Sequence, residues 1–405
     1  MNVLIKPSCA MGEVKAPPSK SMAHRLLICA ALSDGVSKID NIAYSEDILA
    51  TLDCLKAMGA GISKEETSVT VEGIKNKTIP STVRYECRES GSTLRFFIGI
   101  ALAIGHDSHF YGTEKLLSRP LSVYEDICRE QNIEYRAGDH ISIKGNIKPG
   151  IYDLPGNISS QFITGLLFGL VLLDKDSQIC FNTEIESRSY IDLTLDALSQ
   201  YEVEVKWADE RTIFIKGGQT YKSRNTVVEG DYSNAAFLDI FNTLGGNVKV
   251  TGLRKESLQG DRVYKDLFEQ LTKERGAIDI CDCPDLGPAL MVVAAANKGA
   301  VFTGTKRLKI KESDRGSVMC ELLSRFGIKT VFEEDCIEVT ASALKAPKEP
   351  IDTHNDHRIV MAAASLLSIT GGELAGASAV RKSFPDYFEQ IKHLNIEVET
   401  DGLDK

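Results

Sequence analysis

Apolar residues cluster along this chain in a recurring way. Six times, a polar turn rich in Pro, Gly, Ser or Asp leads straight into an Ala/Leu-rich run of helical length. The runs follow Pro17 (PPSKSMAHRLLICAAL), Glu89 (ESGSTLRFFIGIALAIG), Pro155 (PGNISSQFITGLLFGLVLL), Asp231 (DYSNAAFLDIFNTLG), Pro284 (PDLGPALMVVAAAN) and Asn355 (NDHRIVMAAASLLS). Their starts are 72, 66, 76, 53 and 71 residues apart, longer than solenoid periods of roughly 20–50 residues.

A second pattern keeps the same phase. Short segments alternate apolar and polar positions and predict strands at 67–73, 140–145, 212–217, 247–252 and 336–340. Further helices are predicted between them at 47–58, 121–130, 191–198, 263–271 and 318–326. The unit is a capped helix, strand material, a second helix and more strand. Six such units form an α/β (α+β) protein of two domains with three units each. The 53-residue interval breaks the period.

Length supports the division, because one hydrophobic core stops growing near about 250–300 residues and this chain has 405. Apolar residues make up 43% and charged residues 26%, an ordinary globular composition. The net charge of −10 argues against broad binding to nucleic acid or an anionic membrane. The uncharged stretch from Leu154 to Leu173 is broken by Pro155, Asn157, Ser159, Ser160 and Gln161, which argues against a membrane span. Ten cysteines are scattered singly, and only Cys281 and Cys283 are close, at a spacing unsuited to zinc. With no apolar signal-peptide core at the N-terminus, these features lead us to expect a cytoplasmic protein with reduced, mostly buried thiols.

The chemistry is concentrated at the turn-to-helix junctions. A helix start carries unpaired N–H groups and a positive dipole end, so it suits an anion. Ser, Thr or Asp there is ordinary capping. What sets these junctions apart is Lys20, Arg25, Arg119, Arg315, Arg358 and Lys382, all at helix starts or turns of an acidic chain. Ser21 and Arg25 share a helix face, as do Lys20 and His24. Gly91 allows close approach of a ligand beside Ser90, Ser92, Thr93 and Arg95. Ser159, Ser160 and Gln161 add uncharged donors and acceptors, and Ser187-Arg188-Ser189-Tyr190 lies between that helix and the next. If the six starts face one cleft, it is strongly positive and suits a small polyanion. Asp285, Glu312 and Asp356 interleave with the cations, and a carboxylate beside Lys or Arg stays ionised and can act as a base. His24 and His357 are expected to donate to phosphate or carboxylate. No Walker-type loop, GxGxxG or GxSxG occurs, and His354 and His357 have no further metal-spaced partners.

Taken in order, PSKSMAHR, SGSTLRF, LSRP, SSQF, SYIDLTL, GDYSNAAF, CPDLGP, KESDR, NDHRI and KSFPDYFEQI resemble the successive motifs of the 5-enolpyruvylshikimate-3-phosphate synthase family. The resemblance runs from Pro17 to Ile391. It implies a two-domain inverse α/β barrel of the enolpyruvyl transferase type. This has six βαβαββ repeats, three per domain, with helix N-termini aimed at an interdomain cleft. One domain would span 19–228, and the other 1–18 plus 229–405. The implied activity is transfer of the enolpyruvyl group of phosphoenolpyruvate to the 5-hydroxyl of shikimate 3-phosphate, without metal or cofactor, by a monomer. Carried over by motif, Lys20, Ser21, Arg25, Ser159, Ser160, Gln161, Ser187, Tyr190, Asp285 and Lys311 would bind shikimate 3-phosphate. Lys20, Gly91, Arg119, Gln161, Arg315, Arg358 and Lys382 would bind phosphoenolpyruvate. Asp285 would take the hydroxyl proton, and Glu312 and Lys20 would share proton exchange at C3. Ser189, Phe96 and Arg307 depart from residues common in the family. A sister enzyme of the same fold acts on UDP-N-acetylglucosamine and carries a Cys on the loop before an Arg; Gly112–Ser118 here contains none. A non-catalytic polyanion binder of this fold is the other alternative.

Overall fold

In the computed structural model, which describes residues 1–401, the chain forms two compact units. One, the inserted unit, spans Pro18–Glu229; the other, the split unit, joins Met1–Pro17 to the chain from Gly230 onward. Positions 402–405 of the second expected domain lie outside the described residues.

The six apolar runs are six helices: α1 (Lys20–Leu32), α2 (Gly91–Ile104), α3 (Ser160–Leu170), α4 (Tyr232–Thr243), α5 (Gly287–Ala296) and α6 (His357–Thr370). Nearly every residue of α1, α3 and α5 is buried, as expected of helices that are apolar on all sides. Each unit of the repeat adds a second helix, at Glu46–Ala57, Ser122–Glu130, Arg188–Gln200, Tyr264–Lys273, Arg315–Arg325 and Tyr387–His393. The outer helices at Ser122–Glu130 and Tyr264–Lys273 bury only one side.

The strands make five four-stranded sheets and one two-stranded sheet. In a typical sheet, Thr82–Glu86 runs parallel to Asp107–Tyr111. Asp107–Tyr111 pairs antiparallel with Ile141–Lys144, and that strand with Glu134–Ala137. The exception explains the short interval. The fourth repeat has only Met11–Lys15 parallel to Asn247–Thr251, and it lacks the antiparallel pair found in the other five. Two sheets are completed from distant parts of the chain. Thr226–Val227 joins Val36–Asp40, and Val3–Ile5 lies between Gly372–Ala375 and Val398–Thr400. The ten cysteines are all free; Cys29, Cys54, Cys87, Cys128 and Cys283 are buried, and Cys9 is exposed.

Helices α2 and α3 are brought together by glycines. A Cβ on Gly99 would stand 2.2 Å from the Gly165 backbone, and one on Gly169 would stand 2.3 Å from the Gly99 carbonyl. Backbone therefore packs on backbone, and the starts of the two helices fall side by side. Gly165→Val would drive a side chain into Arg95 O and Tyr124 Oη, which lie 2.4 and 2.3 Å from its Cβ position. We expect a loss of about 3 kcal/mol from such overpacking. Gly138→Ala, with nothing within 4 Å, should stay within about 0.5 kcal/mol. Urea midpoints at unchanged m-value measure both.

Candidate active site

Five of the six helix starts are capped by a side chain: Ser19, Ser90, Ser159, Asp231 and Asp356 accept from backbone N–H groups of α1, α2, α3, α4 and α6. The sixth, α5, has no side-chain cap and enters through a 3-10 turn, Pro284–Leu286. Asp285 in that turn is thereby left for other work.

In the inserted unit, the glycine contact places Gln161, at the start of α3, against α2. Its Nε2 donates to Ser92 Oγ at 2.9 Å, and its Oε1 accepts from Arg95 Nη1 at 2.7 Å. Arg95 is buried over the Phe162 ring and donates Nη2 to the Pro120 carbonyl at 3.3 Å. Gly91 faces the same spot. A Cβ there would lie 2.7 Å from Arg119 Nη1, 3.3 Å from Arg95 Nη1 and 3.7 Å from Gln161 Oε1. Arg119 Nε and Nη2 are buried without a hydrogen-bond partner. Buried donors are nearly always paired, so these two call for an acceptor from outside the chain.

Arg25 ties together three helices of the same unit. Its Nε donates to Thr194 Oγ1 at 2.9 Å, Nη1 to Ser21 O at 2.6 Å, and Nη2 to Tyr190 O at 2.9 Å and Thr164 Oγ1 at 3.3 Å. Lys20 Nζ donates to Asp47 Oδ2 at 2.7 Å. Ser160 is buried directly after the cap Ser159. Ser187 is buried with φ of +54°, a left-handed conformation that a serine adopts only at a cost.

In the split unit, Arg315 is 1% exposed and is the centre of a charge cluster. Its Nε donates to Asp356 Oδ2 at 2.8 Å, Nη1 to Asp285 Oδ1 at 2.8 Å, and Nη2 to Glu312. Asp356 also accepts from Ser313 Oγ at 2.9 Å. Asp285 lies 3.2 Å from Lys311 Nζ and 3.4 Å from Arg358 Nη2. Burial alone would push Asp285 up, but Lys311, Arg358 and Arg315 together outweigh it and hold the carboxyl well below its usual range. Burial lowers Lys311, and Arg315 and Arg307 lower it further against the pull of Asp285. Arg358 leaves Nε and Nη1 buried without partners, over the Phe237 ring. Lys382 Nζ donates to Asn355 O at 2.7 Å.

Positive charge is thus unevenly placed. The split unit sets Asp285, Glu312 and Asp356 against Lys311, Arg315 and Arg358. Arg25 and Arg119 have no carboxylate within ion-pair distance among the described residues, so uncompensated charge sits in the inserted unit. Sequence reasoning gave no role to Arg95, although its place four residues after Gly91, on one helix face, was the signal. It missed Asp47, the partner of Lys20.

The family model for EPSP synthase (3-phosphoshikimate 1-carboxyvinyltransferase) matches residues 5–391. The chain is 39% identical over 420 aligned residues to the 3-phosphoshikimate 1-carboxyvinyltransferase of Clostridium kluyveri, covering 98% of each protein. It is 40% identical to that of Clostridium beijerinckii, covering 97% of each. In structure it resembles the EPSP synthase of Acinetobacter baumannii, with a TM-score of 0.79 at 24% identity over 98% of this chain and 100% of that one. The enolpyruvyl transferase NikO from Streptomyces tendae gives 0.77 at 12% identity, over 98% of each chain. The last two likenesses bear on the fold alone.

His24, an expected anion donor, lies in the interior with its Nε2 buried and unpartnered. His24 is 1% exposed, and its Nδ1 lies 2.7 Å from Thr51 Oγ1 in the interior. Burial, then Lys20 and Arg25, hold it well below its usual 6.5, so it is neutral in the fold. The unfolded chain takes up the proton below pH 6.5 and the native one does not, so stability falls as pH drops. The slope from this residue is at most about 1.4 kcal/mol per pH unit. His24→Gln should flatten the stability profile below pH 6.5, read from urea unfolding at each pH.

Proposed function

The chain belongs to the EPSP synthase (3-phosphoshikimate 1-carboxyvinyltransferase) family, and from that premise we propose how its residues divide the reaction. The enzyme transfers the enolpyruvyl group of phosphoenolpyruvate to the 5-hydroxyl of shikimate 3-phosphate and releases phosphate, in the shikimate pathway to chorismate and the aromatic amino acids. The hydroxyl oxygen adds to C2 of phosphoenolpyruvate while C3 gains a proton. The tetrahedral adduct then loses phosphate and a C3 proton.

In our reading, the binding roles fall to residues at and near the helix starts. Phosphoenolpyruvate is held by Lys20, Gly91, Arg119, Gln161, Arg315, Arg358 and Lys382. Arg119 and Arg358 each offer buried donors with no protein acceptor. Gly91 keeps the space before Arg119 open. Shikimate 3-phosphate is held by Lys20, Ser21, Arg25, Ser159, Ser160, Gln161, Ser187, Tyr190, Asp285 and Lys311. Most N–H groups of Arg315 are committed to carboxylates, so its main part is to fix Asp285 and Glu312 in place.

The observation that carries this reading is Asp285, an ionised carboxylate spared from helix capping and surrounded by Lys311, Arg315 and Arg358. Alone it is a weak base. Ligand anions that neutralise Lys311 and Arg358 remove part of what depresses it, so basicity rises when substrate is present. Asp285 then takes the 5-hydroxyl proton. Glu312, oriented by Arg315, exchanges the C3 proton, a role it shares with Lys20. A monomeric enzyme acting in the cytoplasm completes the proposal; no helix among the described residues is long and apolar enough to cross a membrane.

Phosphate release by the purified protein should require both phosphoenolpyruvate and shikimate 3-phosphate, and UDP-N-acetylglucosamine should not replace the latter. Asp285→Asn should lower kcat by about 10²–10⁴-fold, the range of a lost general base. Gly91→Ala sets a methyl 2.7 Å from Arg119 Nη1. It should raise KM for phosphoenolpyruvate at least about tenfold and leave KM for shikimate 3-phosphate nearly unchanged, which would remove uniform binding of one substrate.

A further inference from the structure

One buried carboxyl beside this cluster has no part in the reaction as assigned. Asp261 lies in a 3-10 turn, Gly260–Val263, pinned to the start of α4. Gln259 Oε1 accepts from Tyr232 N at 2.9 Å, and its Nε2 donates to Gly230 O at 2.8 Å. Ser233 Oγ donates to Asp261 Oδ2. Asp261 is 2% exposed, and its Oδ1 is sealed with no hydrogen-bond partner. A carboxylate with an empty buried oxygen is poorly stabilised, whereas a neutral carboxyl tolerates the site.

The groups facing Asp261 define what its proton controls. Burial, then Asp285, push the carboxyl up, with Asp231 adding; Arg358 and the Ser233 hydroxyl pull it down, and the balance is about 7. Cys283, a further neighbour, is pushed above its usual range by burial and by Asp261 among other carboxylates, so it stays a neutral thiol. Arg358, lowered by burial, is raised by Asp285, Asp261 and Asp231. Among the described residues its only carboxylate contact within ion-pair distance is the long one to Asp285, and its Nε and Nη1 are unpartnered. The guanidinium therefore lies in the field of carboxylates without being locked by them.

We propose that Asp261 is a positioning residue that sets the anion affinity of Arg358 through its own proton. Ionised, Asp261 competes with an incoming phosphate or carboxylate for the field of Arg358. Neutral, it leaves that field to the ligand. The anion in turn favours the neutral form of Asp261, so anion binding and proton uptake support each other. The inference rests on the reading that Arg358 holds phosphoenolpyruvate.

The test is KM for phosphoenolpyruvate at saturating shikimate 3-phosphate, from pH 6 to 8.5, in the full-length enzyme. Wild type is compared with Asp261→Asn, Ser233→Ala and Arg358→Lys. Titration of the substrate phosphate is common to all and cancels in ratios. The ratio of wild-type KM to Asp261→Asn KM should grow at least about threefold across this range. Ser233→Ala removes a donor that favours the ionised form, so it should move the wild-type rise in KM to higher pH. A ratio that stays constant, whether above or below one, means a structural prop and overturns the proposal. If Asp261→Asn does not fold, Ser233→Ala decides: an upward move supports the proposal and an unmoved profile overturns it. Arg358→Lys separates the two levels. An unchanged KM there overturns the Arg358 assignment itself. A raised KM beside a constant Asp261→Asn ratio overturns only the role of Asp261.

Discussion

Six largely buried helices set the terms for this molecule. A helix apolar on all sides must be wrapped completely, and the sheets and outer helices do the wrapping. Burial also means that the ends of these helices are where their backbone can meet something polar. Most starts satisfy themselves with a Ser or Asp cap. The one exception among the six is the entry to α5, which leaves Asp285 free of capping. Where α2 and α3 touch without side chains between them, Arg95 and Gln161 are drawn within hydrogen-bonding distance beside Gly91. A packing solution inside the core thus becomes an arrangement of donors at its edge.

The two units meet the problem of polyanion binding differently. The inserted unit holds Arg25 on neutral oxygens, its geometry fixed by Thr194, Thr164 and two carbonyls. The split unit balances cations with carboxylates around Arg315. A buried ion cluster of this kind adds little net stability, but removing one member leaves others uncompensated at a cost of several kcal/mol. Its value is in orientation. A carboxylate that must act as a base needs neighbours that keep it ionised and are themselves answerable to the ligand's charge.

Much of this was legible in the chain. The turn-to-helix pattern located all six buried helices, since their apolar runs are long and bounded by strong capping residues. The alternating segments matched strands such as Ser68–Glu72 and Cys336–Thr340. The 53-residue interval marked the repeat that lacks its antiparallel pair, though only the pairing explains it. Other features depend on distance through space. Asp47 and Lys20 are 27 residues apart in sequence, and Asp261 gains its meaning from Arg358 and Asp285, which no local pattern joins to it. Helix spacing places His24 beside Lys20 but does not say whether that face turns to solvent or to the core. Arg95 was visible at its junction, but only its bond to Gln161 assigns it a place.

The strand Val3–Ile5 lies between two strands from the far end of the chain, Gly372–Ala375 and Val398–Thr400. On a ribosome this reverses the usual order of events. This early strand must wait for late ones, and at about 5–20 residues per second the interval between residues 229 and 400 is roughly ten seconds or more. The inserted unit draws all its strands from within Pro18–Glu229 and can close during that wait. The nascent N-terminus meanwhile remains an unpaired edge. Its brevity, three residues between Asn2 and Lys6, keeps that edge a poor template for pairing with other chains until its own partners emerge.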